Sequence, residues 1–373
     1  MNSNKQTFNK LVASLPASVP FVGPETLERQ RGKTFHARIG ANESAFGISP
    51  LAQEAMQQAL QADGCNWYGD PENFELRQGL AKLHGVDADE ICVDAGIDSL
   101  LGLTVRMLIE PGAAVTTSLG AYPTFAYHVA GFGGQLHTVP YLDNREDPQA
   151  LLAKASECNA RIIYFSNPDN PMGTSHTAET VQQLIDDLPQ GSLLALDEAY
   201  AEFAPAGLTP AIETSNPQVI RYRTFSKAYG MAGMRIGYVI AHRDLITGFN
   251  KIRNHFAVNR LAQIGALASL RDKDFLPEVR RQVEAGRQRI YNLALELDLP
   301  YLQSATNFVA VDLDASERAT SLLDALKEKG IFIRMPGVAP LNRYIRVGVG
   351  KADEHQHFES VFRQLVSATA TTA

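Results

Sequence analysis

Residues 161–197 read RIIYFSNPDNPMGTSHTAETVQQLIDDLPQGSLLALD. Two short aliphatic runs, 161–165 and 193–196, flank a stretch with apolar residues at helical spacing over 178–188, which Pro189 closes. Strand, helix and strand in that order make a βαβ unit, whose two strands lie parallel and are joined by a right-handed crossover. Similar runs recur at 91–93, 113–117, 135–139, 219–222 and 235–240, most of them separated by helical patterns such as 99–109, which Pro111-Gly112 ends. The pattern predicts an α/β fold with a mixed, mostly parallel seven-stranded sheet between helices. The link between the last two runs is too short for a crossover, so the final strand is expected to run antiparallel.

Beyond the sheet, residues 275–297 carry the apolar spacing of one long amphipathic helix, with Leu276, Val279, Val283 and Ile290 on one face. Short strands expected at 308–312, 331–333 and 344–347, with helices between them, describe a smaller α+β domain. A chain of 373 residues exceeds the usual size of a single core. We therefore expect a large domain over 46–275 and a small one built from 1–45 with 276–373. Hydrophobic residues at 45% and charged residues at 20% suit a globular protein. A net charge of −7 with no block of Lys or Arg argues against nucleic-acid or anionic-membrane partners. No stretch approaches the ~18 apolar residues that span a bilayer, and the N-terminus lacks the apolar core of a leader, so a cytoplasmic location is expected. Cys65, Cys92 and Cys158 are widely spaced, and His355 and His357 lie in a polar helical run, so neither a disulfide nor a metal is expected.

Open α/β sheets bind ligands beyond the carboxyl ends of their strands, so the residues that follow strands carry the most information. Lys227, in RYRTFSKAYG at 221–230, sits just after such a run, where a desolvated amine becomes a nucleophile; a surface lysine is the plainer alternative. Arg235 follows in GMRIGY and can grip a phosphate or form a structural ion pair, with the hydroxyls of Thr224 and Ser226 on the same turn. Asp197, ending LLALD, is a carboxylate at the end of a buried strand and is unfavourable there unless paired. A pyridinium nitrogen would pair with it usefully; a helix cap or a magnesium ion would also satisfy it. Tyr200, three residues on, can bond a ring oxygen. Asn170 lies between two Asn-Pro steps that stiffen its turn. The backbone N–H groups of Gly96, Ile97 and Asp98 open a helix and so form an anion site, with the Asp98 side chain expected to point away. Tyr122 can stack on a flat ring or pack in the core. Arg346, an arginine in an apolar run, suits bidentate capture of a carboxylate, with Arg334 twelve residues earlier.

Taken in order, the motifs Asn42-Glu43-Ser44, Gly96-Ile-Asp-Ser99, 167–173, 197–200, Ser226-Lys227 with Arg235, and Arg346 resemble the fold-type I pyridoxal 5′-phosphate (PLP) aminotransferases of class I/II. Within these, the chain is similar to the histidinol-phosphate aminotransferase-like group. The resemblance implies the aspartate aminotransferase-like fold, with Lys227 bonded to the cofactor and moving the proton of the reaction and Asp197 on the pyridine nitrogen. It further implies Asn170 and Tyr200 at the ring oxygen, Tyr122 stacked on the ring, and Gly96, Ile97, Asp98, Thr224, Ser226 and Arg235 around the phosphate. It also implies a homodimer in which Tyr68 reaches the phosphate of the neighbouring site. Arg346, Arg334, Phe21 and Asn42 fall at substrate positions.

Three departures bear on the substrate, and the first is that the family's usual Asn-Glu-Asn-Pro becomes Asn42-Glu-Ser-Ala45. The family's N-terminal Tyr-x-Pro-Gly segment becomes Pro20-Phe-Val-Gly-Pro24, so Phe21 lacks the hydroxyl, and Met335-Pro336-Gly337 form an uncommon pocket wall. The expected reaction moves an amino group from an L-amino acid or an amino-alcohol phosphate to a 2-oxo acid. The alternatives on the same fold are decarboxylation, as with phosphorylated threonine, and racemisation. A non-catalytic module is disfavoured because Lys227 and Asp197 are both present.

Overall fold

The computed structural model describes residues 7–17, 22–62 and 64–370. Its strands are β1 (Ala37–Arg38), β2 (Ile91–Asp94), β3 (Ala114–Ser118), β4 (Gln135–Val139), β5 (Ile162–Ser166), β6 (Leu193–Asp197), β7 (Val219–Thr224), β8 (Gly237–Ala241), β9 (Phe308–Asp312), β10 (Ile331–Phe332) and β11 (Tyr344–Gly348). Seven of them form one sheet in the order β2-β8-β7-β6-β5-β3-β4. Strands β3 to β7 pair in parallel, whereas β8 runs antiparallel to both β7 and β2. The reversal at β8 follows from the short turn that links it to β7.

Every residue of β5, β6, β7 and β8 is buried, as expected of strands covered by helices on both faces. Alternation sorts their side chains into two layers. Ile162, Tyr164, Ala195, Ile220 and Tyr222 pack with Leu100, Leu101, Phe125 and Phe249 on one face. Ile163, Phe165, Leu194 and Leu196 pack with Leu151, Val181 and Leu184 on the other.

A separate core joins the helix Phe275–Glu296, strands β9 and β11 and the helix Ala352–Ala370. β1 pairs with β10 in parallel and β11 with β9 antiparallel, so the segment around Ala37 closes against the last third of the chain. Tyr200, Phe203 and Ala228, from loops at the carboxyl end of the large sheet, reach into this core and tie the two regions together. Among the described residues no helix is long and apolar enough to cross a membrane.

Candidate active site

The sheet's order turns at β5, whose neighbours are β6 on one side and β3 on the other. The crevice beyond such a switch point is where this architecture binds ligands. Here it is a cleft of ≈ 580 Å³ that gathers Ile97, Asp98, Tyr122, Asn170, Asp197, Tyr200, Thr224, Ser226, Lys227 and Arg235. Ser166, Pro168 and Ala199 complete its wall. Most of the residues expected from the sequence thus meet in one place, although they are spread over 139 positions of chain between Ile97 and Arg235.

Asp197 ends β6, opposite Ser166 of β5. Its carboxylate accepts from the Tyr164 hydroxyl at 2.6 Å and from the Ala199 N–H at 3.0 Å, neither of them a cation. Burial pushes this carboxyl up to about 6, against the pull of those two donors. The Ser166 hydroxyl beside it is buried without a hydrogen-bond partner among the described residues. Tyr164 and Ser166 were not singled out from the sequence. The period-two alternation of β5 was the available signal, since it turns both side chains the same way.

At the other end of the cleft, the helix Ile97–Leu108 starts from Gly96, whose φ is +89°. Its first N–H groups have no partner within the helix, which makes this end attractive to an anion. The Arg235 guanidinium lies against Gly96, so that a Cβ there would stand 2.8 Å from Nη2. Arg235 itself lies two residues before β8 in a left-handed turn at φ 55°, so the strand expected over 235–240 starts later, at Gly237. The expectation that Asp98 points away is corrected. Its carboxylate accepts from the Tyr122 hydroxyl at 2.9 Å and lies 3.7 Å from Arg235, a hydrogen bond and an opposite charge that offset the cost of an acidic group lining the cleft. The N-cap position of this helix is taken by Gly96. Thr224 accepts the Ser226 N–H at 3.0 Å, which fixes the turn leading to Lys227.

Between these ends, Lys227 donates to the Asn42 carbonyl at 3.2 Å. The Asn42 side chain donates to the Tyr200 hydroxyl at 3.0 Å, and Asn170 approaches the same hydroxyl at 3.5 Å. Asn170 also accepts from Arg346, whose Nε is buried without a hydrogen-bond partner among the described residues. Burial is the main cause that lowers Arg346 to about 10, and the neighbouring Arg334 adds to it, so the guanidinium stays charged at neutral pH. Arg334 and Arg346 are joined by a main-chain hydrogen bond of 2.7 Å. Both line a second chamber of ≈ 1250 Å³, with Asn42, Met335, Pro336, Gly337 and Val338, and it meets the first at Tyr122, Asn170, Tyr200 and Lys227.

Tyr68 lies apart from both chambers of its own chain; it is 79% exposed and packs on Phe256 at 4.6 Å between ring centroids. Phe21 lies outside the described residues. Behind the cleft, a further residue escaped the sequence reading. Asp169 is buried next to Asn170 and accepts from Tyr141 and from the Met172 N–H, and burial pushes its carboxyl up to about 7.

The residues present fit PLP. A buried carboxylate whose donors among the described residues are neutral suits a protonated ring nitrogen, the helix end with Arg235 suits a phosphate, and a lysine amine lies in the same cleft. This fold and this arrangement define the fold-type I class of PLP enzymes. Over residues 38–360 the chain matches the family described as aminotransferase class I and II, and it belongs to that family. It is a PLP-dependent aminotransferase.

The chain is similar to histidinol-phosphate aminotransferase 2 of Carboxydothermus hydrogenoformans, with 32% identity over 94% of this chain and 96% of that protein. It is also similar to histidinol-phosphate aminotransferase 1 of Nitrosococcus oceani, with 33% identity over 92% of each chain. The crystal structure of histidinol-phosphate aminotransferase from Sinorhizobium meliloti in complex with PLP superposes with a TM-score of 0.94 at 48% identity, over 98% of this chain and 99% of that one. An aspartate aminotransferase of Thermus thermophilus, 18% identical with a TM-score of 0.82, shares the fold.

Proposed function

We propose that the chain transfers the amino group of histidinol phosphate, an amino-alcohol phosphate, to a 2-oxo acid. The observation that carries this reading is the pair of guanidiniums, Arg334 and Arg346, on the wall of the chamber that opens onto Lys227. A phosphate on the donor and a carboxylate on the acceptor, taken in turn, both suit forked arginine donors. The names of the relatives support the same donor.

When bound, PLP supplies an electron-withdrawing ring that accepts the electron pair released at the carbon bearing the amino group. In this reading Asp197 holds a proton on the ring nitrogen, and Asn170 with Tyr200 hold the ring oxygen. The N–H groups of Gly96, Ile97 and Asp98, with Thr224, Ser226 and Arg235, hold the phosphate, and Tyr122 covers the ring. Lys227 would hold the cofactor covalently through its amine and would carry the proton that moves during the transfer. Asn42 and Arg334 orient the donor, and Arg346 anchors its anion.

The exposure of Tyr68 supports a homodimer in which this tyrosine serves the neighbouring site. The separate cores support a large domain over 46–275 and a small one from 1–45 with 276–373. We also place the enzyme in the cytoplasm, as an enzyme of small-molecule metabolism.

The test is spectroscopic. Purified protein mixed with histidinol phosphate alone should lose the visible band of its cofactor and release the oxo product, and a 2-oxo acid should restore the band. Bleaching by L-amino acids but not by histidinol phosphate would remove the proposed donor. Release of carbon dioxide, or loss of optical activity without bleaching, would move the reaction to decarboxylation or racemisation.

A further inference from the structure

We infer that Asn307, at the entry to β9, is a positioning residue that holds the Asn42 carbonyl where it receives the Lys227 amine. The inference rests on Lys227 being the reacting amine. Asn307 is 2% exposed, and its side-chain amide donates to the carbonyl of Asn42 at 3.2 Å and to that of Glu43 at 3.1 Å. Its own carbonyl accepts the Val349 N–H at 2.8 Å, so it is anchored in the core around β9 and β11. Its side-chain oxygen is buried without a hydrogen-bond partner among the described residues, so both carbonyls of the 42–43 segment are held through the one NH₂ group.

The segment needs such a hold. Residues 40–44 belong to no helix or strand, and Asn42 sits in the left-handed region at φ 57°. Side-chain contacts must therefore fix its position. A carbonyl oxygen has two lone pairs. Asn307 engages one and leaves the other for Lys227, at 3.2 Å. Through the Asn42 side chain, the same hold sets the Tyr200 hydroxyl at 3.0 Å. The acceptor that fixes the amine is thus neutral, and the group that fixes the acceptor is neutral as well. A carboxylate in either place would favour the charged form of the amine.

The experiment compares full-length holoenzyme carrying Asn307→Ala or Asn307→Asp with Lys227→Ala. Both Asn307 variants should keep the cofactor and lower kcat by roughly 10- to 100-fold, with a smaller rise in KM for the donor of roughly 2- to 5-fold, because the amine is misplaced and the donor loses the Asn42 contact but keeps those of Arg334 and Arg346. In the cofactor-free full-length protein, acetic anhydride labelling of Lys227, read by peptide mass, should slow several-fold in Asn307→Asp. Wild-type kcat per active site in both variants, with unchanged labelling and only a lower Tm, would reduce Asn307 to a structural role and overturn the inference. Asn307→Ala secures the kinetic comparison if the aspartate variant does not fold. Turnover by Lys227→Ala would overturn the reading of the site and this inference with it. An inactive Lys227→Ala beside fully active Asn307 variants would overturn this inference alone.

Discussion

Asp197 is a side chain whose burial is unfavourable for the fold and which, in the proposed reaction, the cofactor's ring nitrogen needs. Its carboxyl sits at about 6 in the fold against an ordinary 3.8. The folded protein therefore holds that proton more tightly than the unfolded chain does. The penalty is absent below pH ~4 and complete once the pH has risen past ~6. Replacing the group with a neutral isostere, Asp197→Asn, should stabilise the cofactor-free protein by on the order of 3 kcal/mol at pH 8 and by little at pH 4, as urea titrations would report. The same change should lower turnover roughly 1,000-fold, since the ring nitrogen loses its counter-charge. At Arg346, substitution by lysine keeps the charge but loses the fork. We expect kcat/KM for the donor to fall on the order of 100-fold, which corresponds to one bidentate charged contact, in steady-state assays at saturating acceptor.

The adjoining carboxyl ends of β6 and β7 are fastened by charge. Glu198 accepts from Arg221 and from Arg223, each at 2.9 Å, and all three are buried. Burial alone would raise this carboxyl, but the two guanidiniums outweigh it and hold Glu198 below the ordinary carboxylate range. Glu198→Gln should therefore destabilise the protein by about 3–5 kcal/mol in denaturant titrations, because it strands buried cations. At the opposite rim, Gly96→Ala forces a side chain into left-handed backbone and against Arg235. Cofactor affinity should fall at least ~10-fold by equilibrium dialysis, the loss of one well-made anion contact. The strands β5 and β6 behind these contacts were legible in the sequence because their apolar runs end abruptly at Ser166 and Asp197. Glu198 was hidden inside the motif that drew notice to its neighbours. Asn307 was hidden for another reason, since its partners lie 264 and 265 positions away and no local pattern encodes such a contact.

For the molecule as a whole, the proposed sharing of sites between two copies has a direct consequence. Lys227→Ala and Tyr68→Ala chains should each be impaired alone, whereas mixing and reassembling them should restore about a quarter of wild-type activity, since half the dimers are hybrid and each hybrid holds one intact site. The dimer itself would be read by sedimentation. The expectation for Tyr68 came from motif likeness, and the fold of one copy records only that the ring stands clear of its own clefts. The two chambers carry a further consequence. The chamber proposed for the cofactor is walled by residues between 97 and 235, whereas the other adds 40–42 and residues between 334 and 346 from the two flanks of the chain. Codon changes confined to those flanks can redirect which amine is consumed while the middle of the reading frame passes unaltered to descendants. A duplicated copy could thus acquire a new nutrient without first relearning its chemistry.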